Sequence, residues 1–514
     1  MKYTIAAFIT LLLSPLSALS ADAIDAGAAG KQKPNVLFIV SDDLKPLLGC
    51  YGATWIQSPN IDQLAARGVL FTSNYCQVAF CAPTRFSLLT GLRPDSTGMY
   101  LNPPRPSDLL RSLLPNVVTL PQQFKNHGYI THPLHKVFDG RTVDSGHDRI
   151  SWTVPYGPWK LAAGEKPAPG GYQNPVTKLR LAEAEKQGRQ LAGPATESYD
   201  IVDNAYHDGG VAHTAAARIR EFAKNQQPFF LAVGFVKPHL PFIAPKKYWD
   251  MYDRTKLSLA SFQSLPSGSP HDLGFYGNLG ELRYYSDIPK TGPIPKSQQR
   301  ELVHGYAACV SYIDAQVGLL MRTLEECGVA DDTIICFWGD HGYHLGEHGH
   351  WGKLTNYEDA ARSPLIITAP GISGDRRVTA ITEFLDLYPT LCELAGLPVP
   401  AHVEGKSLVP LLRGDDVALH QAAVTQVIRG RGKNATMGWS LRTPHHRYIE
   451  WRPVDLSDDK PVFSGDVGSV ELYDYESDPR EEKNVAKDSR YVSVLQQHQA
   501  LFDQLLKHLP KRTQ

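Results

Sequence analysis

The sequence predicts an α/β protein: a mostly parallel sheet sandwiched by helices, then a smaller C-terminal α+β region with an antiparallel sheet. Three observations carry this. Short, nearly continuous apolar runs read as strands buried on both faces. Segments with helical spacing lie between them, and that alternation builds parallel sheets. Beyond Pro398 the texture changes to short alternating segments, the pattern of antiparallel strands.

The strands are residues 35–41 (NVLFIVS), 229–235 (FFLAVGF), 333–338 (TIICFW) and 364–368 (PLIIT). Helical patterns cover residues 61–67, 120–126, 211–224, 302–327 and 385–395. Gly128 stops the second of these, and a short strand follows at 129–131. Residues 155–195, with Pro-Gly-Gly at 169–171, and residues 258–295, rich in Ser, Pro, Gly and Tyr, read as long surface excursions. Such insertions are often binding loops. Residues 439–442, 447–451 and 470–475 alternate, and a helix near 492–509 closes the chain. The expected layout is a larger unit over 34–414 and a smaller one over 415–514.

A chain of 514 residues is too long for one hydrophobic core. Lys2, the apolar stretch 5–13 and the small residues Ala18, Ser20, Ala21 and Ala23 make a secretory signal of residues 1–23. Pro15 and Ser17 interrupt the apolar run before the roughly 20 residues a membrane span needs. Residues 24–33 are a flexible leader. The protein is therefore expected to be exported, periplasmic or secreted, with no stable membrane insertion once the signal is removed. A net charge of −1 gives no global attraction to nucleic acid or an anionic membrane, so a polyanionic substrate needs a local basic site. The 7 cysteines are an odd number, sparse and without CxxC spacing, which argues against a structural zinc cluster.

The chemistry gathers where strands end. The first strand runs into Asp42-Asp43, the second into Lys237-Pro238-His239, the third into Gly339-Asp340-His341-Gly342. Ligands of parallel α/β sheets bind outside the carboxyl ends of strands. Either acidic segment alone would pass for a turn cap. Together they make an oxygen-rich set for a hard cation, Ca2+ or Mg2+, which would polarise an anionic ester. Cys81-Ala82-Pro83-Thr84-Arg85 opens an apolar helix that stops at Gly91. Pro83 suits a first helical turn, so Cys81 lies near N–H groups that favour an anion, with Arg85 a turn later. A buried helix-cap cysteine or a plain thiolate nucleophile would read the same way. His341, His344, His348 and His350 in HGYHLGEHGHW invite a zinc reading. The glycines there leave no helix on which paired histidines share a face, and a carboxylate-led site suits a harder metal.

Cys81–Arg85, followed by Leu89-Thr90-Gly91 and Arg93-Pro94, resembles the C-x-P-x-R signature of the type I, formylglycine-dependent sulfatases. Residues 35–43, 338–342, Ser58-Pro59-Asn60-Ile61-Asp62 and 472–484 (LYDYESDPREEKN) are also similar to that family. Within it, residues 42–46, 229–241, 311–317 and 345–353 resemble the iduronate-2-sulfatases.

The resemblance implies an alkaline-phosphatase-like fold and the removal of sulfate from a sulfated saccharide. It implies that a formylglycine-generating maturation enzyme oxidises Cys81 to formylglycine during export. One hydroxyl of the hydrated aldehyde attacks sulfur; the second then loses a proton, the aldehyde reforms and sulfate leaves. Asp42, Asp43, Asp340 and His341 would hold Ca2+, with the group made from Cys81 as a further ligand. Arg85 would steady the aldehyde hydrate. Lys136, His239 and Lys353 would bind sulfate oxygens, and His239 or Lys353 would protonate the leaving oxygen.

One departure stands out. The related pattern is Lys-Val-Phe-His, whereas this chain reads Lys136-Val137-Phe138-Asp139. Asp139 could serve as base, though its charge repels sulfate. His135 could substitute if its loop turns inward. Two other readings remain: a phosphomonoester or phosphonate hydrolase of the same superfamily, and an inactive sulfated-glycan binding protein with Cys81 unmodified.

Overall fold

Strand β1 (Asn35–Asp42) is buried along its whole length, and its side chains divide between two cores. Leu37 and Ile39 join one cluster, Val36, Phe38 and Val40 the other. That alternation is what a central strand covered on both faces requires. In this computed structural model residues 33–103, 108–162, 167–275, 280–457, 461–509 and 511 are described. The predicted export signal lies outside them, as does the leader except Lys33.

The main sheet has seven strands: β1, β2 (Val69–Phe71), β3 (Ile130–His135), β4 (Phe229–Pro238), β5 (Thr333–Gly339), β6 (Leu365–Thr368) and β7 (Arg376–Val378), in the order β7-β2-β6-β5-β1-β4-β3. Only β6 runs antiparallel to its neighbours. The helices Pro59–Arg67, His207–Lys224 and Lys296–Glu326 pack Ile61, Ile219 and Leu320 onto one face. The helices Cys81–Thr90, Leu120–Asn126 and Leu387–Leu394 pack Phe86, Phe124 and Leu391 onto the other. Past this alkaline-phosphatase-like α/β sandwich, Ala423–Arg429, Ala435–Arg442, His446–Asp455, Val462–Phe463 and Ser469–Asp474 form a five-stranded antiparallel sheet. The closing helix Val492–Leu505 sets Phe502 against Trp439 and Tyr448.

Pro34–Gln514 holds together as one compact unit. All seven cysteines are free thiols. Among the described residues no helix is long and apolar enough to cross a membrane. The excursion at 155–195 is less irregular than its composition suggests: Pro175–Lys186 is a helix, started by the Asn174 side chain accepting from the Val176 N–H at 2.9 Å. Among its described residues the segment 258–295 holds the one-turn helices His271–Gly274 and Leu282–Tyr284, and it delivers the functional side chain Glu281.

Candidate active site

The register of the sheet sets the site. β1 pairs Ser41 with Gly339 of β5 and, after a local shift, Asp42 with Pro238 of β4. The residues that follow, Asp43, Asp340-His341 and His239, therefore leave the sheet side by side. Asp43 turns at φ 61°, a left-handed conformation that costs an L residue about 1 kcal/mol. The turn is held on both sides: its N–H donates to Asp340 Oδ1 at 3.0 Å, and its carbonyl accepts from the Tyr306 hydroxyl at 2.8 Å.

The helix Cys81–Thr90 aims its N-terminus at this edge. Cys81 is its first residue, Gly91 ends it at φ 74°, and every residue in it is buried. Cys81 Sγ lies 3.3 Å from Asp42 Oδ1 and 3.5 Å from His341 Nε2. Burial, with Asp42 beside it, pushes the Cys81 thiol well above its ordinary value, so a resting thiolate is disfavoured. Arg85 donates from Nε to Asp340 Oδ2 at 2.9 Å and faces Asp42 Oδ2 at 3.7 Å. Its Nη1 donates to the Lys136 carbonyl and, at 3.2 Å, to the Val137 carbonyl. Gly234 on β4 makes room for this turn, because a Cβ there would collide with the Lys136 carbonyl.

Three cations meet three fully buried aspartates. Lys136 pairs with Asp42, and Lys353 sits 2.7 and 2.9 Å from the two oxygens of Asp43. Burial pushes the Asp42 carboxyl up, but Lys136, His239 and Arg85 outweigh it and hold it well below the usual range. Burial opposes the charge on Lys353, yet Asp43 and Glu281 hold its ammonium well above its ordinary value. Glu281, which no sequence motif announced, lies 3.4 Å from Lys353 and 3.3 Å from His239. Lys353 and His239 outweigh its burial and pull it down to about 2. Burial and the nearby Lys353 push His239 down to about 3.

A cavity of about 530 Å³ opens over these groups, lined by Cys81, Asn102, Lys136, Arg141, His239, Glu281 and Lys353. Asn102 accepts from the Ala82 N–H at 3.0 Å, and neither it nor Arg141 was marked by sequence spacing. A second cavity of about 460 Å³ lies across Lys136 and His239, and it holds His135, His147, His207 and Tyr156.

Asp139 and His135 line neither wall of the Cys81 cavity. Both oxygens of Asp139 are bound by Arg141, at 2.8 Å from Nε and 2.6 Å from Nη2. Burial raises the Asp139 carboxyl, and Arg141 with Lys136 brings it below the usual range. His135 faces the second cavity against Trp159, and burial beside His207 pushes it down to about 3.

The donor set fits a hard dication. Asp42, Cys81, Asp340 and His341 each offer a ligand atom, all within 4.8 Å of one another; Asp42, Asp43, Cys81 and His239 form an overlapping group. His341 Nδ1–H donates to the Gly342 carbonyl at 2.9 Å, which leaves the Nε2 lone pair facing the carboxylates. With Glu281 the site holds four carboxylates against Arg85, Lys136 and Lys353. A dication would turn that slight negative excess into a single positive one.

The sulfatase family matches residues 34–397. The chain belongs to this family. Its C-terminal part, residues 346–508, also matches the family described as N-sulphoglucosamine sulphohydrolase, C-terminal. Iduronate 2-sulfatase of Mus musculus is 33% identical, over 90% of this chain and 92% of that protein. Among solved structures, a 2-O GAG sulfatase superposes with TM-score 0.65 at 24% identity, covering 93% of this chain and 92% of the other. The phosphonate monoester hydrolase of Silicibacter pomeroyi superposes with TM-score 0.67 at 22% identity, covering 92% and 95%, a likeness of fold. The protein is thus a formylglycine-type sulfatase by family and a sulfatase-type hydrolase by activity class, with its metal-binding cluster built around Cys81.

Proposed function

We propose that the protein is an exported sulfatase that removes sulfate from a sulfated saccharide, using formylglycine made from Cys81 and a bound Ca2+. The observation that carries this is the place of Cys81, first residue of a buried helix and 3.3 and 3.5 Å from two metal-ligand candidates. Its protonated thiol is a poor nucleophile as it stands, which suits a residue awaiting conversion. Formylglycine would supply an activated hydroxyl, and Ca2+ would supply Lewis-acid polarisation.

The chain's own residues do the rest. Asp42, Asp43, Asp340 and His341 hold the cation, and Arg85 fixes Asp340. Lys136 and Lys353 stay charged and stabilise the negative charge that gathers on the sulfate oxygens. His239 Nδ1–H donates to the Leu240 carbonyl at 2.6 Å, which aims Nε2 at Glu281 and the cavity. Once a bound sulfate offsets Lys353, His239 carries a proton to the leaving oxygen. The ester S–O bond breaks and the saccharide oxygen keeps that proton; over the cycle the oxygen of one water ends on sulfur, one of its protons recharges His239 and the other leaves to solvent. A sulfate monoester's single charge matches the single positive excess of the loaded site, which favours it over a phosphomonoester dianion. The saccharide assignment rests on the iduronate 2-sulfatase relative, and export rests on residues 1–23.

The test pairs two measurements. The Cys81 peptide of protein exported by its native host should be about 18 Da lighter than the thiol form, the change from CH2SH to aldehyde. A panel of sulfate and phosphate esters, including 2-O-sulfated uronate disaccharides, should give the highest kcat/KM on a sulfated saccharide. Higher values on phosphate esters would make the protein a phosphohydrolase. An unmodified thiol with saccharide binding and no release would make it a binding protein.

A further inference from the structure

The segment after His341 carries three more histidines, and the structure gathers them away from the Cys81 cluster. His344, His348 and His350 are 0%, 3% and 5% exposed. Each spends one ring nitrogen on an oxygen. His344 Nε2 lies 2.9 Å from the Thr355 hydroxyl, His348 Nε2 lies 2.9 Å from the Arg480 carbonyl, and His350 Nε2 lies 3.3 Å from the Lys353 carbonyl. A carbonyl only accepts, so His348 carries its proton on Nε2 and keeps the Nδ1 lone pair. The Thr355 hydroxyl accepts from the Tyr357 N–H and has a second lone pair for the Nε2–H of His344, the tautomer that leaves His344 Nδ1 open for a metal. The Nδ1 atoms of all three rings are buried without a hydrogen-bond partner. A buried, unsatisfied ring nitrogen is costly, and three gathered in one place call for a partner.

Asp359 supplies the complement. A ring nitrogen of His344, one of His348 and a carboxylate oxygen of Asp359 lie within 4.8 Å of one another. Asp359 Oδ1 is held by Lys45 at 2.6 Å, while Oδ2 faces His344 Nδ1 at 4.0 Å. That is the layout of a ligand set with its supporting shell in place: two imidazoles oriented by hydrogen bonds on their far nitrogens, and a carboxylate oriented by a lysine on its far oxygen. Burial and the neighbouring histidines also keep the His344 ring neutral and able to bind.

We propose that His344, His348 and Asp359 form a second metal site that takes a borderline dication of the zinc class. Two nitrogens and one oxygen suit zinc, whereas calcium asks for six or more oxygens. Zinc–ligand distances of about 2.1 Å place tetrahedral ligands roughly 3.4 Å apart, so the 4.0 Å gap closes by about half an ångström. Water completes the coordination. The sequence disfavoured this site because no helix spans the glycines. A loop performs the task instead: His348 sits at φ 56° between Gly346 and Gly349, both left-handed. The metal ties the segment that leads to Lys353 onto the short helix Glu358–Ala361 and, through Lys45, onto the turn after Asp43. The site stands whether or not the sulfatase reading of the Cys81 cavity holds.

The test is zinc retention by the mature chain. Protein is kept in excess CaCl2 to fill the oxygen-rich cluster, loaded with ZnCl2, and dialysed against zinc-free CaCl2 buffer before metal analysis. Wild type should retain about one zinc per chain and melt at a higher temperature than without it. His348→Gln and His344→Gln should each retain less than about a tenth of that. Asp340→Asn, altered in the Cys81 cluster, should retain zinc as wild type does. Zinc lost from Asp340→Asn and kept by His348→Gln would overturn the proposal, as would no retention in wild type. X-ray absorption of the zinc-loaded wild type decides the matter even if a variant fails to fold. Scattering from two imidazoles supports the site, and a single imidazole, a sulfur shell or an oxygen-only shell refutes it.

Discussion

Lys353 holds Asp43 by both carboxylate oxygens, at 2.7 and 2.9 Å, in a place where both side chains are buried. Burial raises the Asp43 carboxyl; Lys353 pulls it down and Asp42 pushes it further up, with a result well above the usual range. Lys353 therefore has two tasks, opposing the protonation of Asp43 that burial and Asp42 favour and presenting charge to the sulfate. Lys353→Met should lower kcat by about 10² to 10³, as removal of an oxyanion donor does. The same change leaves a buried carboxylate without its partner, which destabilises by about 3 kcal/mol or more. Melting with and without CaCl2 should show that loss partly recovered by the cation. A kcat within threefold of wild type would remove Lys353 from the reaction.

Cys81→Ala should bring turnover below detection while the melting temperature stays close to that of wild type. The substitution deletes one sulfur at a helix N-terminus whose backbone is otherwise held by the Ala82 contact to Asn102 and the Arg85 contacts. Circular dichroism melts together with sulfate release check both halves. Retained turnover would mean that the nucleophile lies elsewhere.

Chelation followed by CaCl2 tests the cation. Removing it leaves four carboxylates, Glu281 included, against only Arg85, Lys136 and Lys353. Activity should vanish on chelation and return with calcium. Calcium at about 100 times its Kd should add about 2.7 kcal/mol of stability. Asp340→Ala should lose both responses; activity in a calcium-free Asp340→Ala variant would dismiss the cluster as a metal site.

The parts of this molecule legible in the sequence share one property: their signal is local. β1, β4 and β5 are read from continuous apolar runs, and the groups at their ends follow from the rule that parallel strands deliver ligands at one edge. The helix at Cys81 is read from Pro83 and Gly91. Glu281 was illegible because it comes from an irregular loop and meets Lys353 only in the folded chain. The helix Pro175–Lys186 was hidden by the glycines and prolines around it, although Asn174-Pro175 is itself a helix start. β2 and β7 have three residues each, too few for alternation to register. Asp139 was visible as a departure, but its partner two residues on, Arg141, became apparent only from the geometry.

That pairing makes Asp139 testable. With both oxygens taken by Arg141, Asp139 positions a cation that lines the Cys81 cavity. Asp139→Asn should raise or lower KM through the released Arg141, with the pH profile of kcat unchanged and kcat within about tenfold. Loss of one limb of the pH profile would instead make Asp139 a base.

His420 gives stability a pH dependence of predictable sign. Its Nε2 lies 3.0 and 2.9 Å from the two oxygens of Asp386, and Glu383 stands 3.9 Å from its Nδ1. Burial works against the imidazolium, but the Asp386 hydrogen bond and the two carboxylates prevail and raise His420 above its ordinary value. The folded chain therefore binds this proton more tightly than the unfolded chain, whose histidine titrates near about 6.5. The stabilisation is fully present below that value and is lost as pH rises through the higher folded value. A charged hydrogen bond of this kind contributes about 2 kcal/mol. Urea unfolding of wild type and His420→Asn at constant ionic strength should show the largest stability gap near pH ~6, shrinking towards pH ~9 as the proton leaves. A gap that stays constant or widens with pH would mean that His420 packs as a neutral ring and that Asp386 is satisfied by the Lys406 N–H, which reaches its Oδ1 at 2.8 Å.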